Sequence, residues 1–218
     1  MSERSQTGPG GAGHIPMLRG ARVWLRPSEA SDIDRFLAWL NDAETSRYLS
    51  LRSPLSRAAE ERWFERLVEE QGKTVFHFVI CLAVDDRAIG TIGLMEIDYV
   101  NGSAGVGIAI GEPALWGQGL GTDAMDAILD FAFGQLRLER VWLDLNTDNV
   151  RARRSYEKSG FVLEGTKRHA YYSDGRPRDL DLMSIIRAEW RALTRPRTWD
   201  LSERDAAARR SNDAGAGR

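Results

Sequence analysis

The chain has a single cysteine, no lysine at the end of its glycine-rich run, no strong excess of either charge and no apolar stretch of membrane-spanning length. Each shortage removes a class of protein. One thiol cannot form an internal disulfide, and the place of Cys81 in the apolar run 75–84 reads as a buried, inert thiol of a cytoplasmic protein. A formal charge of −2 gives no electrostatic reason to expect nucleic acid or an anionic membrane as partner. The first thirteen residues are polar, rich in Ser and Gly, and carry no apolar signal core.

What is present is ordinary globular composition: 218 residues, 42% hydrophobic and 28% charged, enough for one good-sized core. Residues 1–15 and 195–218 are rich in Gly, Ala, Ser, Arg and Asp without apolar periodicity and are expected to be disordered tails, Trp199 being the one aromatic of the second. Residues 16–194 are expected to form a single domain, with no internal repeat.

Within it, residues 23–26 read as a strand ended by Pro27. Ser31 is expected to cap a helix whose face is Ile33, Phe36, Leu37 and Leu40, with Asp32 and Asp34 in its first turn. Ser56 caps a second, bearing Trp63, Phe64, Leu67 and Val68. The run 75–84, apolar on both faces, reads as a central strand, the Asp85-Asp86 turn leads into a strand over 88–97, and Asn101-Gly102 is a hairpin signal before a strand over 104–110. A helix after the glycine run crosses to a parallel strand over 141–145, a further helix ends at Gly160, and a hairpin from Phe161 to Ile186 turns at Asp174-Gly175.

The run itself is Trp116-Gly117-Gln118-Gly119-Leu120-Gly121-Thr122-Asp123, joining a strand to a helix. Glycines here serve as turn punctuation in many proteins. Three at alternate positions also free the backbone to aim unpaired amides at one point, where the helix dipole adds positive potential, and the natural guest is a phosphate or diphosphate. Without a Lys-Ser or Lys-Thr pair it is not the phosphate loop of nucleotide hydrolases. A dinucleotide fingerprint fits Gly119-x-Gly121-x-x-Ala124, with Asp144 at about the right distance for a ribose, but the run lies past the midpoint of the chain and follows hairpins.

Strand, glycine loop, helix, strand, then Asn149-x-x-Ala152-x-x-x-Tyr156-Glu157-Lys158-x-Gly160-Phe161 resembles the GNAT superfamily of acetyl-CoA-dependent N-acetyltransferases over residues 17–190. Arg26-Pro27, Trp116-Gly117-Gln118-Gly119 and Tyr172-x-Asp174-Gly175 with Asp179 and Met183 look most like its RimJ/RimL branch. The resemblance implies an α/β fold of the α+β kind: a mixed, mostly antiparallel sheet of about seven strands, helices on both faces, and fourth and fifth strands, here 104–110 and 141–145, splayed to admit pantetheine. It implies acetyl-CoA as cosubstrate, no metal, a diphosphate held by the backbone of Gly117, Gln118, Gly119, Leu120, Gly121 and Thr122, and a pantetheine amide at Asn149. Trp116 stands where the superfamily usually has Gln or Arg, so one side-chain contact to phosphate is lost; Trp116 then packs beside the cofactor or fills core.

Transfer from a thioester to a primary amine passes through a tetrahedral intermediate and asks for an oxyanion donor, an acid for the thiolate and a neutral amine. The resemblance gives the acid to Tyr156, which shares a helix face with Ala152 and Asn149. The oxyanion donor is expected among backbone amides near Ile108 and Ile110. Glu96 is nominated as base, with Asp98, Glu112 and His77 as rivals, and the acceptor pocket is expected between the 47–50 loop, Glu96 and the hairpin carrying His169, Tyr171 and Tyr172. A polyamine, an aminoglycoside or a protein N-terminal amine is the expected acceptor, and exposed sheet edges make a homodimer plausible. An NAD-type oxidoreductase and a CoA-binding module without catalysis are the alternatives.

Overall fold

The computed structural model describes residues 17–201 apart from 50 and 52. The expected N-terminal tail and residues 202–218 lie outside the described residues. In chain order the elements are β1 (Leu18–Arg19), β2 (Val23–Pro27), α1 (Ile33–Leu40), α2 (Ala43–Ser46), α3 (Arg57–Glu70), β3 (Phe76–Leu82), β4 (Ala88–Asp98), β5 (Ser103–Ile110), α4 (Leu120–Asp130), β6 (Arg140–Asn146), α5 (Val150–Lys158), β7 (Val162–Ser173), β8 (Arg176–Ile186) and α6 (Arg187–Ala192). The strands form one eight-stranded sheet in the order β1-β2-β3-β4-β5-β6-β8-β7, one strand more than expected. The addition is β1, whose two residues are too few to leave a periodic signal.

Only β5 and β6 run parallel, joined by the α4 crossover; every other pair is antiparallel. β3 is central, as its two apolar faces require. Phe78, Ile80 and Leu82 pack into the large core with α4, whose Met125, Ile128 and Leu129 are fully buried, while Val79 and Cys81 face a second core with Trp24 and Phe36, flanked by Trp39 and Trp63. Full burial of one such α4 side chain contributes about 1.5–3 kcal/mol. Helices therefore cover both faces of the sheet.

Two local expectations are corrected. Ser31 is exposed and caps nothing: Asp32 does the work, accepting the Glu29 amide at 3.0 Å and pairing with Arg26 at 2.7 Å from a nearly buried position. Ser56 does cap α3, its hydroxyl accepting the Ala59 amide at 3.2 Å. The second correction is the C-terminal boundary. Buried Asp130 accepts from Trp190 Nε1 at 2.9 Å, Arg195 Nη2 at 2.8 Å and the Thr198 amide at 2.8 Å. Trp199 packs edge-on to Trp190, and a Cβ on Gly134 would meet its ring at 2.7 Å. Residues 195–201 thus belong with the domain rather than with a tail, because a buried carboxylate needs partners that residues 195–198 supply.

Candidate active site

The parallel pairing of β5 with β6 covers only Ser103 with Arg140, Ala104 with Val141 and Gly105 with Trp142, so β5 from Val106 onward has no neighbour on that side. The strands expected to splay do so. At the fork a Cβ on Gly105 would lie 3.2 Å from Trp142 Cζ2, so the glycine leaves room for the indole where the strands part. A groove of about 500 Å³ opens there, walled by Ile108 and Ile110 on one side and by Asn149, Ala152, Ser155 and Tyr156 of α5 on the other.

Its floor is the glycine loop. Gly117 and Gly119 have φ of 75° and 82°, a region L side chains rarely adopt, and Gly119 is the N-cap of α4. The first amide to find an intrachain acceptor is that of Asp123, bonded to the Gly119 carbonyl at 3.0 Å; those from Gly117 to Thr122 donate to no group among the described residues. Unpaired amides at the positive end of a helix form an anion site. The Asp123 carboxylate, which would oppose an anion, is turned away to accept the amides of Ala21, Arg22 and Val23 at 2.8–3.0 Å. Thr122 Oγ1 meets Ser155 Oγ at 2.7 Å and ties the loop to α5.

Trp116 does more than fill space. Its Nε1 donates to the Ile110 carbonyl at 2.8 Å, and the Arg151 guanidinium lies 3.9 Å from its ring centroid, where ring and cation attract. Gln118 leaves the groove wall: its side chain donates to the Ala114 carbonyl at 2.9 Å, and its own carbonyl accepts from Arg22. The Leu120 side chain is buried in the core and offers the groove only its edge and its amide. Asn149 caps α5, accepting the Ala152 amide at 3.1 Å, while lining the groove. Tyr156 lines it half-buried beside Phe161, and desolvation pushes its phenol up to about 12, so it stays protonated across the physiological range.

A second cavity of about 770 Å³ lies between α1, α3 and strands β3 to β5. It shares Thr45, Leu49, Ile108 and Ala109 with the groove, so two openings meet at one stretch of β5. Its walls include Phe36, Trp39 and Trp63, with His77 edge-on to Phe36 and Trp63 at 5.9 and 5.1 Å. His77 Nδ1 pairs with Ser28 Oγ at 2.8 Å, and burial lowers its pKa to about 4, leaving it neutral.

The nominated base falls elsewhere. Glu96 is exposed at the bulge between Met95 and Asp98, with φ of 52°, and lines neither cavity. Asp98 holds the turn amides of Val100 and Asn101 at 2.9 Å, and Glu112 pairs with Arg87. His169 is exposed, Tyr172 donates to the Gly175 carbonyl and Tyr171 meets Asn146; none of the three walls the second cavity. Of the segments expected to wall the acceptor, the 47–50 loop does reach the cavities, Leu49 lining both, whereas Glu96 and the three hairpin residues line neither; alternation along a hairpin shows which residues share a face but not where the hairpin lies. Not expected at the site from sequence are Arg151, Arg154 and Lys158 on the groove, signalled by a basic helix in a near-neutral chain, and Glu60 in the second cavity. Glu60 lies three residues before Trp63 and seven before Leu67, an acid in the apolar stripe of α3. Val68, expected on that stripe, is 60% exposed.

The dinucleotide alternative does not survive this geometry. One parallel pair in an antiparallel sheet is not a doubly wound fold, and Asp144 is engaged by Lys167 Nζ at 2.8 Å. An amide-lined turn for a diphosphate and a slot between parting strands for a narrow arm define instead an acyltransferase that takes coenzyme A. Residues 22–162 match the acetyltransferase (GNAT) domain family, and the chain belongs to that family. It is 26% identical over 172 residues to the N-acetyltransferase p20 of Bacillus licheniformis, covering 78% of this chain and 95% of that protein. It is 30% identical over 172 residues to the spermidine N(1)-acetyltransferase of Escherichia coli K12, covering 78% of this chain and 89% of that one. The crystal structure of the Vibrio cholerae spermidine N-acetyltransferase in complex with CoA and spermine superposes with a TM-score of 0.72 at 26% identity, over 77% of this chain and 97% of that one. The protein is an acetyl-CoA-dependent N-acetyltransferase.

Proposed function

We propose that the protein transfers acetyl from acetyl-CoA directly to a primary amine, of a small molecule or a protein N-terminus, that enters through the second cavity. The carrying observation is the shared wall: Ile108 and Ala109 border both the amide-lined groove and the cavity behind it. Relatives named for spermidine support an amine acceptor.

Acetyl-CoA supplies an activated thioester. The amides from Gly117 to Thr122 hold its diphosphate, Asn149 a pantetheine amide, and amides of β5 turned away from β4 near Ile108 and Ile110 receive the charge that develops on the carbonyl oxygen. The amine adds to the thioester carbonyl to give the tetrahedral intermediate, its proton leaving through water, and collapse of that intermediate breaks the C–S bond as Tyr156 gives its own proton to the departing thiolate, to be replenished from solvent. Glu96, outside both cavities, has no part in this scheme. The test is thiol release with acetyl-CoA against a panel of polyamines, aminoglycosides, arylalkylamines and peptides. Release with at least one class, alongside thermal stabilisation by CoA and none by NAD, is expected; stabilisation by CoA without release from any amine would overturn the reading.

A further inference from the structure

The second cavity carries one charge that nothing answers. Glu60 is 4% exposed and lines the cavity; its amide donates to the Ser56 carbonyl at 3.1 Å, but its carboxylate has no hydrogen-bond or ion-pair partner among the described residues. Burial alone acts on its carboxyl, raising its pKa. A carboxylate left without a partner in such a place is costly, and a cation brought by a ligand removes that cost. Around it stand Phe36, Trp39, Trp63 and Leu67, surfaces that favour an apolar body and, through the ring faces, a neighbouring cation. The cavity's size suits a small molecule of drug-like bulk.

Resting on the acyl-transfer reading, we infer that the acceptor is a primary amine carrying a compact aromatic or cyclic apolar group: Glu60 draws in and pairs its ammonium, its apolar body lies among Phe36, Trp39 and Trp63, and the nitrogen turns to the thioester once its proton has passed to water. A polyamine fits these walls poorly. The other acid on the wall, Glu70, is exposed and already accepts from Thr74, and Arg66 adds a positive charge. The second and third ammonium groups of a polyamine would be desolvated against Leu40, Leu49 and Leu51 with no counter-charge. Glu60 here is a binding residue: it selects the acceptor and touches no part of the thioester.

The probe is phenethylamine, compared with spermidine and a short peptide, on the full chain. In thiol release with saturating acetyl-CoA, kcat/KM for phenethylamine should exceed that for spermidine at least tenfold. Glu60→Gln should raise KM for phenethylamine at least tenfold with CoA affinity unchanged, and Trp63→Leu should raise it without altering the response to salt. Calorimetry of phenethylamine binding to the protein–CoA complex reads the same pairing without turnover, and Glu60→Gln should weaken it at least tenfold. Preferred turnover of spermidine or of the peptide, or an unaltered phenethylamine affinity in Glu60→Gln, overturns this inference and leaves acyl transfer standing. Calorimetric binding lost in Glu60→Gln, with no thiol release from any amine, overturns acyl transfer instead.

Discussion

Gly20 and Asp123 are in contact across the joint between the β1–β2 turn and the start of α4: the Asp123 carboxylate occupies the space where a Cβ at position 20 would sit. The carboxylate accepts three successive amides, Ala21, Arg22 and Val23, and Arg22 in turn reaches the Gln118 carbonyl. An acid in the first turn of α4 thus fastens that helix to the first hairpin. This clears negative charge from the loop amides and fixes where they point.

Gly20→Ala should therefore weaken two things at once. Displacing the carboxylate loosens hydrogen bonds to a charged acceptor, each worth about 1.5–3 kcal/mol when fully formed and less at this partly exposed joint, so a stability loss of roughly 1–2 kcal/mol is expected. CoA affinity should fall in the same variant, since the start of α4 is no longer held. Urea unfolding and CoA titration measure the pair; lowered stability with unchanged CoA affinity would separate the joint from the site.

Tyr156→Phe removes the phenol and keeps the ring against Phe161. Loss of a positioned general acid typically lowers turnover by roughly 10²–10⁴-fold, so kcat should fall on that scale with CoA affinity retained. Because the phenol titrates only at about 12, the wild-type kcat should show no alkaline decline from Tyr156 below roughly pH 11. An unchanged kcat in the variant removes Tyr156 from the chemistry.

The sequence made the fold legible wherever the signal was local. Periodicity placed β3, α3 and α4, Asn101-Gly102 placed the β4–β5 hairpin, and the glycine spacing marked the loop that opens α4 beside the splayed strands. What escaped depends on contacts distant in sequence. Asp130 is held by residues some 60–70 positions away, so the run after 194 looked like a tail although it completes a buried network. Glu60 passes for one more acid of a charged helix, although its spacing from Trp63 and Leu67 puts it on the apolar stripe; what periodicity does not show is that this stripe borders a cavity. Glu96 was nominated for its place near the end of a strand, and the bulge before Asp98, which position in sequence does not show, turns it out.

Ending the chain after Thr194 should destabilise it. Asp130 would keep Trp190 Nε1 but lose Arg195 and Thr198, leaving a buried carboxylate short of partners, at a cost of roughly 3 kcal/mol. Adding Asp130→Asn to the shortened chain should recover part of that loss, whereas the same substitution in the full chain should destabilise, since Arg195 then keeps only Asp126, at 3.4 Å, as its anion. Equal effects of Asp130→Asn in both backgrounds would show that the network does not fasten the segment.

His77 makes acid sensitivity predictable. Wedged between Phe36 and Trp63, its ring titrates at about 4 when folded, against an ordinary 6.5. Between those values the unfolded chain binds a proton that the native chain refuses, so stability is complete above about pH 6.5 and declines as pH falls toward 4. The interval corresponds to roughly 3 kcal/mol. His77→Gln, which retains a hydrogen-bonding group for Ser28, should start less stable at pH 7 and lose less between pH 6.5 and 4 than the parent, a difference that urea unfolding at stepped pH isolates from the protonation of carboxylates common to both chains. Parallel pH profiles for the two chains would mean that His77 accepts its proton without disturbing the aromatic wall of the second cavity.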